Sequence, residues 1–102
     1  MRLIVLATIE IHPDDTTAAV ALAQEMATAT QAEVGCIQYS FGLDILRHNC
    51  LLLSERWRDA EALALHFKTK HMATFLEGLR ALRVEKLEAV QYDSTNPVEL
   101  QV

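Results

Sequence analysis

Glu55-Arg56-Trp57-Arg58-Asp59 closes an apolar strand, and Ala60-Glu61-Ala62-Leu63-Ala64-Leu65 at once opens a helix that delivers His66. Upstream, His48 to Trp57 places Leu51, Leu53, Glu55 and Trp57 on one face and Cys50, Leu52, Ser54 and Arg56 on the other, the period of two that a strand imposes. Asp59 has the short acceptor side chain that caps a helix, and Glu61 sets a negative charge in the first turn, where the helix dipole favours it. The single tryptophan at the strand exit and an imidazole about two and a half turns later give a small domain the means to hold a flat aromatic ligand and to move a proton.

Working outward, Leu3 to Ile11 is aliphatic and β-branched enough for a first strand, which Pro13, Asp14 and Asp15 stop while capping the next element. Thr16 to Gln31 is rich in Ala and free of Gly and Pro, and predicts a helix with Val20, Ala23, Met26, Ala27 and Thr30 along one stripe. Gly35 breaks the chain before a strand over Cys36 to Phe41, with Ile37, Tyr39 and Phe41 on one face. Gly42 to Arg47 is the expected turn of a hairpin with His48 to Trp57. The helix that starts after Asp59 runs toward Gly78, and Arg83 to Asp93 alternates again as a last strand. The expected domain spans residues 1–93, and residues 94–102, opened by Asn96-Pro97, form a tail without structure of its own.

The order strand, helix, strand, strand, helix, strand predicts an α+β, ferredoxin-like antiparallel sheet with helices on one face. Leu3 to Leu6 in succession, and Leu51 to Leu53, put aliphatic side chains on both faces of that sheet, whereas a solvated face would alternate with polar residues. With 51% hydrophobic residues in 102, the chain carries more apolar surface than a domain this small buries alone, and a face-to-face homodimer resolves the excess.

A net charge of −5 without a block of Lys or Arg removes the attraction that nucleic-acid binding requires. Leu3 to Ala7 is too short to cross a membrane, so a cytoplasmic, non-membrane protein is expected. Cys36 and Cys50 have no metal-ligand spacing, and a hairpin turning near Leu43 to Leu46 sets Cys36 opposite about Leu53, too far from Cys50 for a disulfide. Both are expected as reduced core residues. No glycine-rich phosphate loop or nucleophile elbow is present, and His12 and His48, at strand ends, have nothing nearby to complete a metal set. No cofactor and no metal are expected.

The chemistry then falls to His, Trp, Glu and Tyr. Glu55 lies on the face of Trp57, either inside a pocket or paired at the rim with Arg56, Arg58 or Lys86. Tyr39, Phe41, Phe67, Met72 and Phe75 are candidates for pocket lining. His71 follows His66 by five positions, which on one straight helix turns it about 140° away. Only a kink within Phe67-Lys68-Thr69-Lys70 brings both imidazoles to one ligand.

The segments Glu33-x-Gly35-Cys36-Ile37-x-Tyr39, then Glu55-x-Trp57-x-Asp59-x-Glu61-Ala62-Leu63-x-x-His66-x-x-Thr69-x-His71, and finally Phe75 resemble the antibiotic biosynthesis monooxygenase domain, which includes small quinol-type monooxygenases. The likeness covers about residues 2–93. It implies a dimeric α+β barrel with a pocket in each subunit, where relatives oxygenate a polycyclic aromatic or quinol-like substrate with dioxygen, without metal, flavin or haem. Here the expected substrate is a small aromatic, quinol or polyketide-like compound. On that resemblance His66 is the base or a hydrogen-bond partner, Trp57 a stacking wall and positioning donor, Glu55 a supporting carboxylate and His71 secondary. Haem-degrading relatives use an Asn on the first strand, where this chain has Ala7 and Thr8 in that neighbourhood, so haem oxygenation is disfavoured. Two alternatives stay open: a non-catalytic ligand-binding or stress-response dimer, and an isomerase of a small phosphorylated molecule, which calls for cations such as Arg56, Arg58, Lys68 or Lys70 in the pocket.

Overall fold

A computed structural model describes residues 1–102. Strand β1 (Arg2–Ile11) leads through a short 3-10 turn at Pro13–Asp15 into helix α1 (Thr16–Gln31), followed by β2 (Cys36–Leu43), β3 (Cys50–Trp57), α2 (Ala60–His66), α3 (Lys70–Arg80) and β4 (Val84–Ser94). The four strands form one antiparallel sheet in the order β2-β3-β1-β4, the ferredoxin-like α+β arrangement. From Thr95 onward the chain has no regular structure, and no helix is long and apolar enough to cross a membrane.

The core lies between the sheet and the helices. Leu3, Val5, Ile9 and Ile11 of β1 and Leu51, Leu53 and Trp57 of β3 meet Ala19, Ala23 and Met26 of α1 and Phe75 and Leu79 of α3. Helices α1 and α3 pack closely where Leu22 of α1 meets Gly78 of α3. A Cβ built on Gly78 would stand 2.6 Å from a Leu22 methyl, inside van der Waals contact. Asp15 makes no side-chain cap for α1. Its carboxylate instead accepts from the backbone N–H and the guanidinium of Arg83 at 2.8 to 3.1 Å, which pins the start of β4 to the start of α1. That guanidinium, with the Arg83 backbone N–H, holds the Asp15 carboxyl at about 2, below its ordinary value.

The hairpin differs from expectation in register. Leu53 faces Phe41, and Cys36 sits opposite Trp57, because β2 runs on through Gly42 and Leu43 and the loop falls at residues 44–49. A bulge between Cys36 and Gln38 also breaks the expected alternation. It turns Ile37 outward while Cys36, Tyr39 and Phe41 pack on the core side, the redirection that one extra residue in a ladder produces. Both cysteines are free thiols.

The single helix expected from Ala60 toward Gly78 is two helices. Thr69 Oγ1 donates to the His66 carbonyl at 2.8 Å and accepts from the Met72 N–H at 3.2 Å, so one hydroxyl satisfies a carbonyl at the end of α2 and an amide at the start of α3. The outer face of the sheet carries no helix. Leu6, Leu52, Val90 and Tyr92 stand on it, each between 40% and 51% exposed, and Leu6 faces Val90 across the β1–β4 ladder.

Candidate active site

A cavity of about 130 Å³ lies between the sheet and the α2–α3 break. Val5, Ala7 and Ile9 of β1 and Leu87 and Ala89 of β4 supply its apolar floor, Phe67, Met72 and Phe75 its helical side, and Tyr39, Glu55 and His66 its polar groups. The strand period explains the floor, since alternate residues of β1 point inward.

His66 closes α2 because Asp59 starts that helix, its carboxylate accepting the Ala62 N–H at 2.9 Å. The imidazole is 1% exposed and sits beside Trp57, with ring centroids 4.7 Å apart, and beside Tyr39 at 5.5 Å. Its Nδ1 lies 2.7 Å from Glu33 Oε2. The same oxygen lies 2.7 Å from His71 Nε2. The kink that the separation of the two histidines demands is therefore present, at Thr69, and the point on which both rings converge is Glu33.

Glu33 is held by its own loop. Gly35 adopts φ +86°, and a Cβ there would stand 2.5 Å from the Ala62 Cβ. Only glycine allows this backbone conformation and this close approach to α2. The Gly35 carbonyl accepts the Arg58 N–H at 2.8 Å, tying the loop to the strand exit. Glu33 stands in the motif that carries the family resemblance, yet nothing in its spacing marks it as a partner of residues 33 and 38 positions away.

Glu55 is buried among apolar side chains and accepts the Trp57 indole N–H at 2.8 Å. It pairs with none of the candidate cations. Arg56 bonds Gln38 and Arg58 bonds Asp59, while Lys86 lies nearest Glu88. Burial pushes the Glu55 carboxyl above its ordinary value; the Trp57 N–H and then the His66 ring oppose the rise, and the charge of Glu33 adds to it. Burial likewise raises the Tyr39 phenol, helped by Glu55 and Glu33, so that phenol stays protonated and able to donate.

The raised Glu55 value sets a stability prediction. A carboxyl that holds its proton more tightly folded than unfolded penalises the folded state above its folded pKa, and the penalty fades as pH falls through that value toward the unfolded 4.5. Glu55→Gln keeps an acceptor for Trp57 and removes the charge, so it is expected to raise stability by about 1 kcal/mol at pH 8, with the gain closing by about pH 4.5. Urea denaturation at the two pH values checks this, and a variant less stable at pH 8 would refute the burial account.

Three expected site residues, Trp57, Phe41 and His71, do not line the cavity. Trp57 is fully buried and does not line the cavity. In place of the expected stacking wall, its bulk packs behind His66 and its N–H is taken by Glu55. Phe41 also stands outside, wedged between Tyr39 at 5.6 Å and Phe75 at 5.8 Å. His71 opens on an outer groove with Glu25, Lys70 and Thr74 and reaches the cavity only through Glu33 and His66. None of Arg56, Arg58, Lys68 or Lys70 lines the cavity. A metal-type donor set, absent around His12 and His48, does assemble here: the donor atoms of Glu33, His66 and His71 all lie within 4.8 Å of one another.

A ferredoxin-like domain with a small apolar cavity and a His–carboxylate network at its wall defines the class. Residues 2–78 match the antibiotic biosynthesis monooxygenase family, and the chain belongs to it. Rv0793 from Mycobacterium tuberculosis is similar in structure, with a TM-score of 0.88 at 25% identity over 97% of this chain and 100% of that one. PA3566 from Pseudomonas aeruginosa gives a TM-score of 0.85 at 28% identity over 93% and 95%, and a structure of an antibiotic biosynthesis monooxygenase gives 0.84 at 24% identity over 92% and 99%. No curated protein matches the chain in sequence.

Proposed function

We propose that the protein is a monooxygenase that oxidises a single-ring aromatic or quinol-like substrate with dioxygen, the substrate itself supplying the electrons without metal, flavin or haem. The supporting observation is the commitment of His66 Nδ1 to Glu33, which leaves Nε2 as the free ring nitrogen of a side chain that lines an apolar cavity. In that tautomer Nε2 is a base. It takes the proton of a quinol hydroxyl, and the resulting electron-rich anion reacts with dioxygen beside the apolar lining. For a hydroquinone, one oxygen atom enters the ring, the other leaves as water, and the ring departs as a hydroxyquinone.

Size narrows the substrate. A cavity near 150 Å³ takes one benzene ring, and the present one is about 130 Å³. A single-ring hydroquinone, at the small end of the aromatic, quinol or polyketide-like range that the sequence suggested, fits that space. The apolar lining also favours this chemistry over isomerisation of a phosphorylated molecule, whose phosphate needs a cation. Oxygen uptake by metal-free protein, recorded against matched panels of hydroquinones and three-ring anthrones, tests the proposal. Uptake confined to the single-ring compounds supports it, and none above buffer with either panel removes it.

On the same proposal the protein works as a homodimer, with the outer sheet faces packed together to complete an α+β barrel. The exposed Leu6, Leu52, Val90 and Tyr92 are the support, since an apolar face of this kind is costly in water. Leu52→Glu sets a charge on that face and is expected to weaken association by more than about 100-fold. Analytical ultracentrifugation at micromolar concentration reads the change, and a wild-type monomer would end the dimer proposal.

A further inference from the structure

We propose that Glu33, His66 and His71 form a binding site for one divalent transition-metal ion of the zinc, cobalt and nickel class. Two imidazole nitrogens and one carboxylate oxygen make a donor set that selects such ions over calcium and magnesium, which prefer oxygen alone. Three protein ligands also leave at least one position open.

The geometry is close to what coordination needs. Ligands about 2.0–2.2 Å from one ion lie roughly 3 to 4.3 Å from each other. Here both nitrogens are 2.7 Å from Glu33 Oε2 and all three donors lie within 4.8 Å, so side-chain shifts of about 1 Å turn two hydrogen bonds into three metal bonds. The donors come from three separate pieces of chain: the loop after α1, the last residue of α2 and the first turn of α3. Each piece has its own anchor. Gly35 fixes the loop against Ala62, Asp59 starts α2, and Thr69 sets α3. His71 is 27% exposed and borders the outer groove beside Glu25, so an ion reaches the site from solvent without crossing the cavity.

Binding moves protons within the rings. The His66 proton leaves Nδ1 for Nε2, and that of His71 leaves Nε2 for Nδ1, with no net release when both rings start neutral. His66 then presents an N–H where it had presented a lone pair. On the function proposed above, an ion at Glu33 and base action by His66 exclude one another, so the metal is an inhibitor.

The test uses the full chain without a polyhistidine tag, titrated with Co²⁺ and read by visible d–d absorption, which requires neither substrate nor oxygen. One equivalent per chain, displaced by Zn²⁺ and not by Ca²⁺ or Mg²⁺, is expected. Glu33→Gln and His71→Ala should each weaken binding at least about 10-fold, while His12→Ala and His48→Ala bind as wild type does. His71 is partly exposed, so its variant should fold even where a His66 variant does not, and circular dichroism checks that it has. Co²⁺ binding unchanged in His71→Ala or Glu33→Gln, or lost in His12→Ala or His48→Ala, overturns the site. Failure of oxygen uptake with any substrate leaves this result untouched, because the two experiments share no readout.

Discussion

His66→Ala is expected to lower kcat about 10²- to 10⁴-fold on the best single-ring hydroquinone, with a much smaller change in KM, because a general base acts in the transition state far more than in binding. The substitution also removes a donor from Glu33 and leaves a hole beside Trp57, so a loss of rate alone does not separate chemistry from collapse. Two further readouts do. Added imidazole, small enough for the vacated space, should restore part of the rate. Glu33→Gln keeps the ring and weakens only the grip on its tautomer; about a 10-fold loss in kcat is expected there. Full activity in His66→Ala, with folding checked by circular dichroism, would remove His66 as the base.

The largest effect on stability is expected at Trp57. The side chain is fully buried, and deleting a buried tryptophan costs about 3–5 kcal/mol, against a total stability of about 5–15 kcal/mol for a domain. Trp57→Ala also leaves the buried Glu55 carboxyl without its indole donor, which adds to the cost. The variant should unfold at a markedly lower urea concentration than the wild type, or be recovered mainly as aggregate. Trp57→Phe retains most of the bulk and loses the N–H, and is expected to cost about 1–3 kcal/mol by urea denaturation. The double variant Trp57→Phe with Glu55→Gln should recover part of that loss, because the stranded charge is gone. A Trp57→Ala protein within about 1 kcal/mol of wild type would show that the indole is not the pillar of this core.

The fold was legible because strand and helix periods recur clearly in the chain. Leu51, Leu53, Glu55 and Trp57 share the buried face of β3, and Ala23, Met26 and Thr30 the buried stripe of α1, in keeping with their spacing. Register was less legible. Nothing in Cys36-Ile37-Gln38 announces a bulge, and the loop at residues 44–49 contains neither Gly nor Pro to mark where the turn falls. The site was legible in part. Glu55, His66, Phe67, Met72 and Phe75 meet at one cavity with Tyr39, whereas Trp57, Phe41 and His71 lie outside it. An aromatic residue on the inward face of a strand looks the same in sequence whether it borders a hollow or fills the space behind it.

The chain's own order of periods and punctuation determined the ferredoxin-like topology, the inward faces and the helix start at Asp59, because these depend on neighbours within one turn or one strand. Tertiary structure alone decided that Glu33 is the meeting point of His66 and His71. A carboxylate 33 residues before one imidazole and 38 before the other becomes their partner only once a loop held by Gly35 is laid against α2 and a threonine hydroxyl divides one helix into two. Contacts of that kind arise from how separate elements pack, and no local pattern in the sequence encodes them.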